Sequence, residues 1–158
     1  MSELVISWEE YHRTIEELAQ KIKASDWEFN QILCLAKGGL RVGDILARIF
    51  DQPLAILNVS SYQGVGNREQ GKIRFAEYLT NFGALGDRLL LVDDLADSGV
   101  SLQKTIPWLQ EHSPHLQEIR TAVLWLKAHA QFQPDYYVQY LPDNPWIKQP
   151  FEKYENFL

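Results

Sequence analysis

The chain opens on a helical rhythm. Trp8, Tyr11, Ile15, Leu18 and Ile22 recur at three- and four-residue intervals, which places them on one face of an amphipathic helix. Ser7 precedes them with Glu10 three residues on, the spacing of a capping box, so the helix is predicted to start there. The pattern then changes. Ile32–Ala36 is a short continuous apolar run that stops at Lys37-Gly38-Gly39, after which Val42, Ile45, Leu46 and Ile49 resume helical spacing. That order predicts strand, glycine turn, helix. Leu54–Val59, Arg88–Val92, Ile119–Leu126 and Tyr136–Tyr140 are further apolar or β-branched runs, with helical patterns filling several gaps between them. Strands alternating with helices predict an α/β fold: a mostly parallel, twisted sheet flanked by helices.

Two segments break the rhythm. Ser60 to Gly71 is polar and carries Gly64, Gly66 and Gly71, and it is longer than a typical compact connection, so it reads as a functional or disordered loop. The tail from Pro142 holds Pro145 and Pro150 around Trp146 and Ile147, which excludes a regular helix but leaves two large apolar side chains to place.

With 158 residues and 46% apolar composition, the chain is expected to build one core and one domain over 1–158. A net charge of −6 argues against partners that are polyanions, namely nucleic acid and the membrane surface. The lone cysteine, Cys34, sits in an apolar run and reads as a small core residue. That suits a reducing cytoplasm, and no export signal or membrane-spanning run argues otherwise.

The chemistry concentrates in Leu89–Leu102. A buried strand ends in Asp93-Asp94, and in a parallel sheet ligands bind at the carboxyl ends of strands. Asp97-Ser98-Gly99-Val100-Ser101 then turns into a helix through Leu102, Thr105, Ile106 and Leu109, a place where backbone N–H groups and hydroxyls cradle phosphate. Each piece alone has an ordinary explanation, an N-cap or a solvated loop. Together they point to carboxylates beside a phosphate pocket, an arrangement that suits a divalent cation or sugar hydroxyls. Walker and dinucleotide-binding glycine patterns are absent, and too few residues follow Asp94 to complete a phosphorelay receiver domain.

The segment Leu91–Leu102 resembles the phosphoribosyl diphosphate signature of type I phosphoribosyltransferases. The likeness extends along most of the chain. Ala36-Lys37-Gly38-Gly39-Leu40 is similar to the pyrophosphate loop of the bacterial xanthine-guanine enzymes, and Ser60-Ser61-Tyr62 with Asn67-Arg68-Glu69 to their mobile catalytic loop. Leu126-Lys127 resembles their base-reading lysine, and Trp146-Ile147-Lys148-Gln149-Pro150 their base-stacking tail, a short C-terminal hood. Four positions depart from the pattern: Lys37 replaces an arginine, Val100 and Ser101 replace a small residue and threonine, and Lys148 replaces a glutamate beside the base.

The resemblance implies a Mg²⁺-dependent enzyme of purine salvage that joins the phosphoribosyl group of 5-phosphoribosyl diphosphate to an oxopurine. Asp93 and Asp94 are then expected to hold sugar hydroxyls or metal-bound water. Asp97 handles a proton on the purine, and Arg68 reaches the departing diphosphate from a closing loop. Ser98, Gly99, Val100 and Ser101 bind the 5′-phosphate, and Lys37 with the Gly38 and Gly39 amides binds pyrophosphate. Lys127 reads a ring carbonyl, Trp146 stacks on the base with Ile147 beside it, and Lys148 is expected near the opposite edge, favouring xanthine. A homodimer or homotetramer is the implied assembly. The rival readings are a regulatory nucleotide-binding protein on the same fold and a transferase for another nucleobase.

Overall fold

The computed structural model describes residues 2–62 and 72–158. In chain order the elements are β1 (Glu3–Val5), α1 (Trp8–Ala24), β2 (Gln31–Ala36), α2 (Leu40–Phe50), β3 (Leu54–Tyr62), β4 (Lys72–Phe75) and β5 (Arg88–Val92). There follow β6 (Leu95–Ala96), α3 (Val100–His112), β7 (Glu118–Ala122), β8 (Trp125–Lys127), β9 (Gln139–Leu141), β10 (Trp146–Lys148) and a 3₁₀ turn at Pro150–Tyr154.

The main sheet runs β4-β3-β2-β5-β7, parallel throughout except for the antiparallel edge strand β4. It is the predicted α/β sheet. Side chains alternate across it, as strand geometry requires. Ile32, Cys34, Leu90 and Val92 face a core closed by Tyr11, Ile15, Leu18 and Ile22 of α1 and Val42 and Leu46 of α2. Leu33, Leu35, Leu89 and Leu91 face the other way, onto Leu102 and Leu109 of α3. Helices thus cover both faces. The helix start read from Ser7 is present, with its Oγ accepting from Glu10 N at 3.1 Å. Cys34 is fully buried, and burial pushes its thiol up to about 11, so it packs rather than reacts. Among the described residues no helix is long and apolar enough to cross a membrane.

One predicted strand is in fact two. Ile119–Leu126 breaks after Ala122, where Val123 N turns to Tyr136 O and Leu124 N to Asp94 O. The chain resumes as β8 in a separate parallel sheet, β6-β8-β9. Residues 122–127 are all buried, so no hydropathic alternation could mark the break. The Tyr136–Tyr140 run likewise gives only an isolated bridge at Tyr136 before the shorter β9. The proline-bounded tail is not irregular throughout: β10 pairs with β1 in parallel, and Ile6 N closes the ribbon on Lys148 O at 2.9 Å.

Helix α2 lies unusually close to β2. A Cβ built on Gly43 would stand 2.6 Å from Cys34 Cβ, so even alanine forces the helix off the strand. Gly43→Ala is expected to lower stability by about 1–3 kcal/mol in urea unfolding. Unchanged stability would mean that the helix does not sit this close.

Candidate active site

The main chain builds the site where β5 ends. Asp93 N still bonds Ala122 O at 3.1 Å, while Asp94 O accepts from Leu124 N at 2.9 Å across the gap between β7 and β8. This second bond turns the chain out of the main sheet and into β6. There Leu95 registers with Trp125 and Ala96 with Leu126, so the next pair along is Asp97 and Lys127. Their charged groups meet: Lys127 Nζ is 3.3 Å from Asp97 Oδ2. Lys127 is only 5% exposed and Asp97 51%, so the pair reaches from the protein interior to an open surface.

Beyond Asp97 the chain needs a left-handed residue to enter α3, and Gly99 supplies it at φ +82°. A Cβ there would also lie 2.8 Å from that of Phe132. The turn encloses a cavity of about 400 Å³ bounded by Asp93, Asp94, Asp97, Ser98, Gly99 and Ser101. A second cavity of about 570 Å³ shares Asp94, Leu95 and Asp97 with it. Lys37 and Gly38 form one side of this larger cleft, Lys127 another, and Trp146, Ile147 and Gln149 of the tail the third. Trp146 is 55% exposed at the rim, whereas Ile147 roots the strand in the core. A pocket at a helix N-terminus therefore adjoins a cleft with an aromatic rim.

Asp94 joins the parts. Its Oδ2 accepts from Gln149 Nε2 at 2.7 Å, and a Cβ on Gly38 would fall 2.6 Å from the same oxygen. Only glycine lets the Lys37–Gly39 turn lie against this carboxylate. The peptide bond between Ala36 and Lys37 is cis. Asp93 Oδ1 accepts from Asp94 N at 2.9 Å. Burial raises the Asp93 carboxyl well above the usual carboxylate range, and the Asp94 charge adds to the rise.

Some expected residues stand elsewhere. The Gly39 amide does not point into the cleft, because its N–H is bonded to Leu35 O at 2.8 Å. Gly39 is needed instead for close packing: a Cβ would lie 2.8 Å from Leu35 O and 2.9 Å from Val92 O. Val100 does not line the smaller cavity, and its amide points to Ser98 Oγ at 3.3 Å. Lys148 is exposed and outside the cleft wall, which Trp146, Ile147 and Gln149 of the same segment line. Arg68 and the expected closing loop over 63–71 lie outside the described residues.

Three residues of the site had no role assigned to them from the sequence. Gln149 is one. Arg41, in the first turn of α2, lines the cleft with its guanidinium 3.6 Å from the Phe151 ring centroid. Behind it Tyr11 is fully buried; burial pushes its phenol up to about 12, with the Arg41 charge opposing and the Asp94 charge adding. His129 is the third, with Nε2 2.5 Å from Asp97 Oδ1. A helical-face reading of α2 and the Lys127 signal two residues upstream were the nearest clues.

A family model for the phosphoribosyl transferase domain matches residues 7–156. The chain is 26% identical to a xanthine-guanine phosphoribosyltransferase of Idiomarina loihiensis over 157 residues, covering 99% of this chain and 91% of that one. Among solved structures it is similar to a purine phosphoribosyltransferase from Pyrococcus horikoshii, with 29% identity and a TM-score of 0.78 over 96% of this chain and 94% of that one. A xanthine-guanine-hypoxanthine phosphoribosyltransferase of Helicobacter pylori shares the fold, with a TM-score of 0.81 at 22% identity over 98% and 97% of the two chains. With a strand-end carboxylate pair, a pocket at a helix N-terminus and a family match over nearly its whole length, the chain belongs to the phosphoribosyl transferase domain family.

Proposed function

We propose that the protein transfers the phosphoribosyl group of 5-phosphoribosyl diphosphate to an oxopurine, releasing pyrophosphate, in cytoplasmic purine salvage. The observation that carries this reading is the Asp97–Lys127 pair standing where the two cavities meet. A purine nitrogen attacks the anomeric carbon of the sugar, a C–N bond forms, and the bond from that carbon to the diphosphate oxygen breaks. The proton displaced from the purine ring is taken by Asp97, the carboxylate at the junction. Lys127, a pure donor, meets a ring carbonyl, which excludes the amino group of adenine at that edge. Trp146 stacks on the base face, with Ile147 holding its strand in place.

The 5′-phosphate is assigned to the turn at Ser98, Gly99 and Ser101 before α3, where unpaired amides and the helix dipole favour an anion. Pyrophosphate is assigned to Lys37 and the Gly38 amide. Arg68 keeps its expected role in this reading as a cation brought to the diphosphate. The alternative of a purely regulatory protein is disfavoured by Asp97, since binding alone needs no proton acceptor. Assembly as a homodimer or homotetramer belongs to the same reading.

Mg²⁺ fits the donor set. Asp93 and Asp94 offer adjacent hard oxygens whose mutual repulsion a dication would relieve, a combination that suits an ion held largely by phosphate oxygens and water. No group of three or more His, Cys, Asp or Glu among the described residues could hold an ion unaided, so the ion is expected to arrive with the diphosphate. When bound it neutralises charge on the leaving group. Asp93 and Asp94 position it and the ribose hydroxyls.

The test of this function is a set of specificity constants for guanine, xanthine, hypoxanthine and adenine, with phosphoribosyl diphosphate and Mg²⁺. Adenine is expected to trail the best oxopurine by about 100-fold or more, and Lys127→Met to erase most of that gap. Excess chelator should abolish turnover. Adenine as the best substrate, or an unchanged ranking in Lys127→Met, contradicts the base-reading assignment.

A stability measurement checks Asp93. The folded protein binds the Asp93 proton more tightly than the unfolded chain does, so stability falls as pH rises from the ordinary carboxylate range through the raised value. Asp93→Asn removes that loss. In the absence of substrate it should raise the melting temperature at neutral pH by about 2 °C or more. No gain is expected near pH ~4, where Asp93 is already protonated in the folded state. An equal effect at both pH values would show that Asp93 is not held protonated by its surroundings.

A further inference from the structure

The geometry points to His129 as a positioning residue that fixes the rotamer of Asp97 for proton handling, an inference that rests on the transfer reading above. Asp97 offers two carboxylate oxygens, and the structure divides them. Oδ2 faces Lys127 Nζ at 3.3 Å and Oδ1 faces His129 Nε2 at 2.5 Å. An ionised carboxylate only accepts, so His129 Nε2 must carry the hydrogen.

The two partners differ in where they stand. Lys127 lines the larger cleft and is free to turn from Asp97 to a ring carbonyl when a base enters. His129 lines neither cavity, and its half-exposed ring meets Asp97 Oδ1, so its route to the reacting atoms is through that carboxylate. When Lys127 leaves, Oδ2 is released towards the purine N–H while Oδ1 stays held. Without His129, the half-exposed Asp97 would be anchored by Lys127 alone and would lose its last fixed partner as the base binds.

The main chain around His129 is pinned on both sides, unlike that of a loose surface residue. Its own N–H donates to Asn144 Oδ1 at 2.8 Å, in the loop leading to the tail. Ala128 N bonds Leu141 O at 3.0 Å, Ala130 N bonds Lys127 O at 3.1 Å, and Gln131 N bonds Ser98 O at 2.8 Å in the phosphate turn. The main chain that carries the imidazole is thereby tied to the tail and to the turn before α3. Both of those elements bind substrate in the proposed reaction. The ring itself is half-exposed and meets Asp97 Oδ1, so a fixed main chain and that one bond together orient the carboxylate.

The experiment compares the native protein with His129→Ala and His129→Gln, whose amide Nε2 can donate from nearly the same place. His129→Ala is expected to lower kcat about tenfold or more with both KM values within about twofold of native, because proton handling is lost while phosphate and base contacts remain. His129→Gln should recover most of that loss. A kcat for His129→Ala within about twofold of native overturns the proposal, as does an equal loss in both variants. A second readout does not depend on turnover. In long-range ¹H–¹⁵N spectra the His129 Nε2 signal should be that of a protonated nitrogen and should move in Asp97→Asn. An unmoved signal sinks the proposal, whereas native protein inert with every purine counts against the transfer reading and leaves the spectra to decide about His129.

Discussion

The site depends on how Asp94 is held. Its carbonyl accepts from Leu124 N, which takes the chain out of the main sheet; its carboxylate takes the Gln149 amide and abuts Gly38. Those ties fix three separate parts of the chain to one residue: the Lys37–Gly39 turn, the gap between β7 and β8, and the C-terminal tail. Move Asp94 and the β6–β8 register moves with it, and with that register the Asp97–Lys127 pair. A parallel sheet supplies only the location at its strand ends. The arrangement of the cleft walls depends on this one aspartate and what it touches.

The polar groups under the tail are held at a cost. Lys127 is buried with a charge, and its described counter-ion is the half-exposed Asp97. Removing one member of such a pair leaves the other uncompensated, a larger penalty than the pair itself confers in stability. Arg41 Nε and Gln149 Oε1 are buried without hydrogen-bond partners among the described residues. They leave one donor and one acceptor unmet among the residues that line the larger cleft. A polar ligand that carries both an acceptor and a donor meets such a demand.

Much of this was legible in the sequence because the motif is local. Asp93 to Ser101 are consecutive, and strand-end acids followed by a glycine turn and helix carry their own geometry. The sheet order was less accessible, since continuous burial over 122–127 hides the switch from one sheet to another. Long-range partners left no trace at all. Gln149 stands 55 residues from Asp94, and His129 32 residues from Asp97, so their pairing depends on the folded topology. The same limit explains Lys148 and Gly39. A resemblance places a residue in a segment, but the folded chain decides that Gln149 and not Lys148 lines the cleft, and one hydrogen bond to Leu35 O withdraws the Gly39 amide.

In the proposed reaction Asp94 and its surroundings organise a phosphoribosyl diphosphate site next to a purine site, and phosphorus NMR of a single reaction is the direct test. Protein, Mg²⁺, phosphoribosyl diphosphate and an oxopurine are mixed and the spectra followed over time. Pyrophosphate and a nucleoside 5′-monophosphate are expected to grow in together in equal amounts, and neither to form without the base. Pyrophosphate accompanied by ribose 5-phosphate in place of nucleotide, or a spectrum that does not change with any oxopurine, would contradict it.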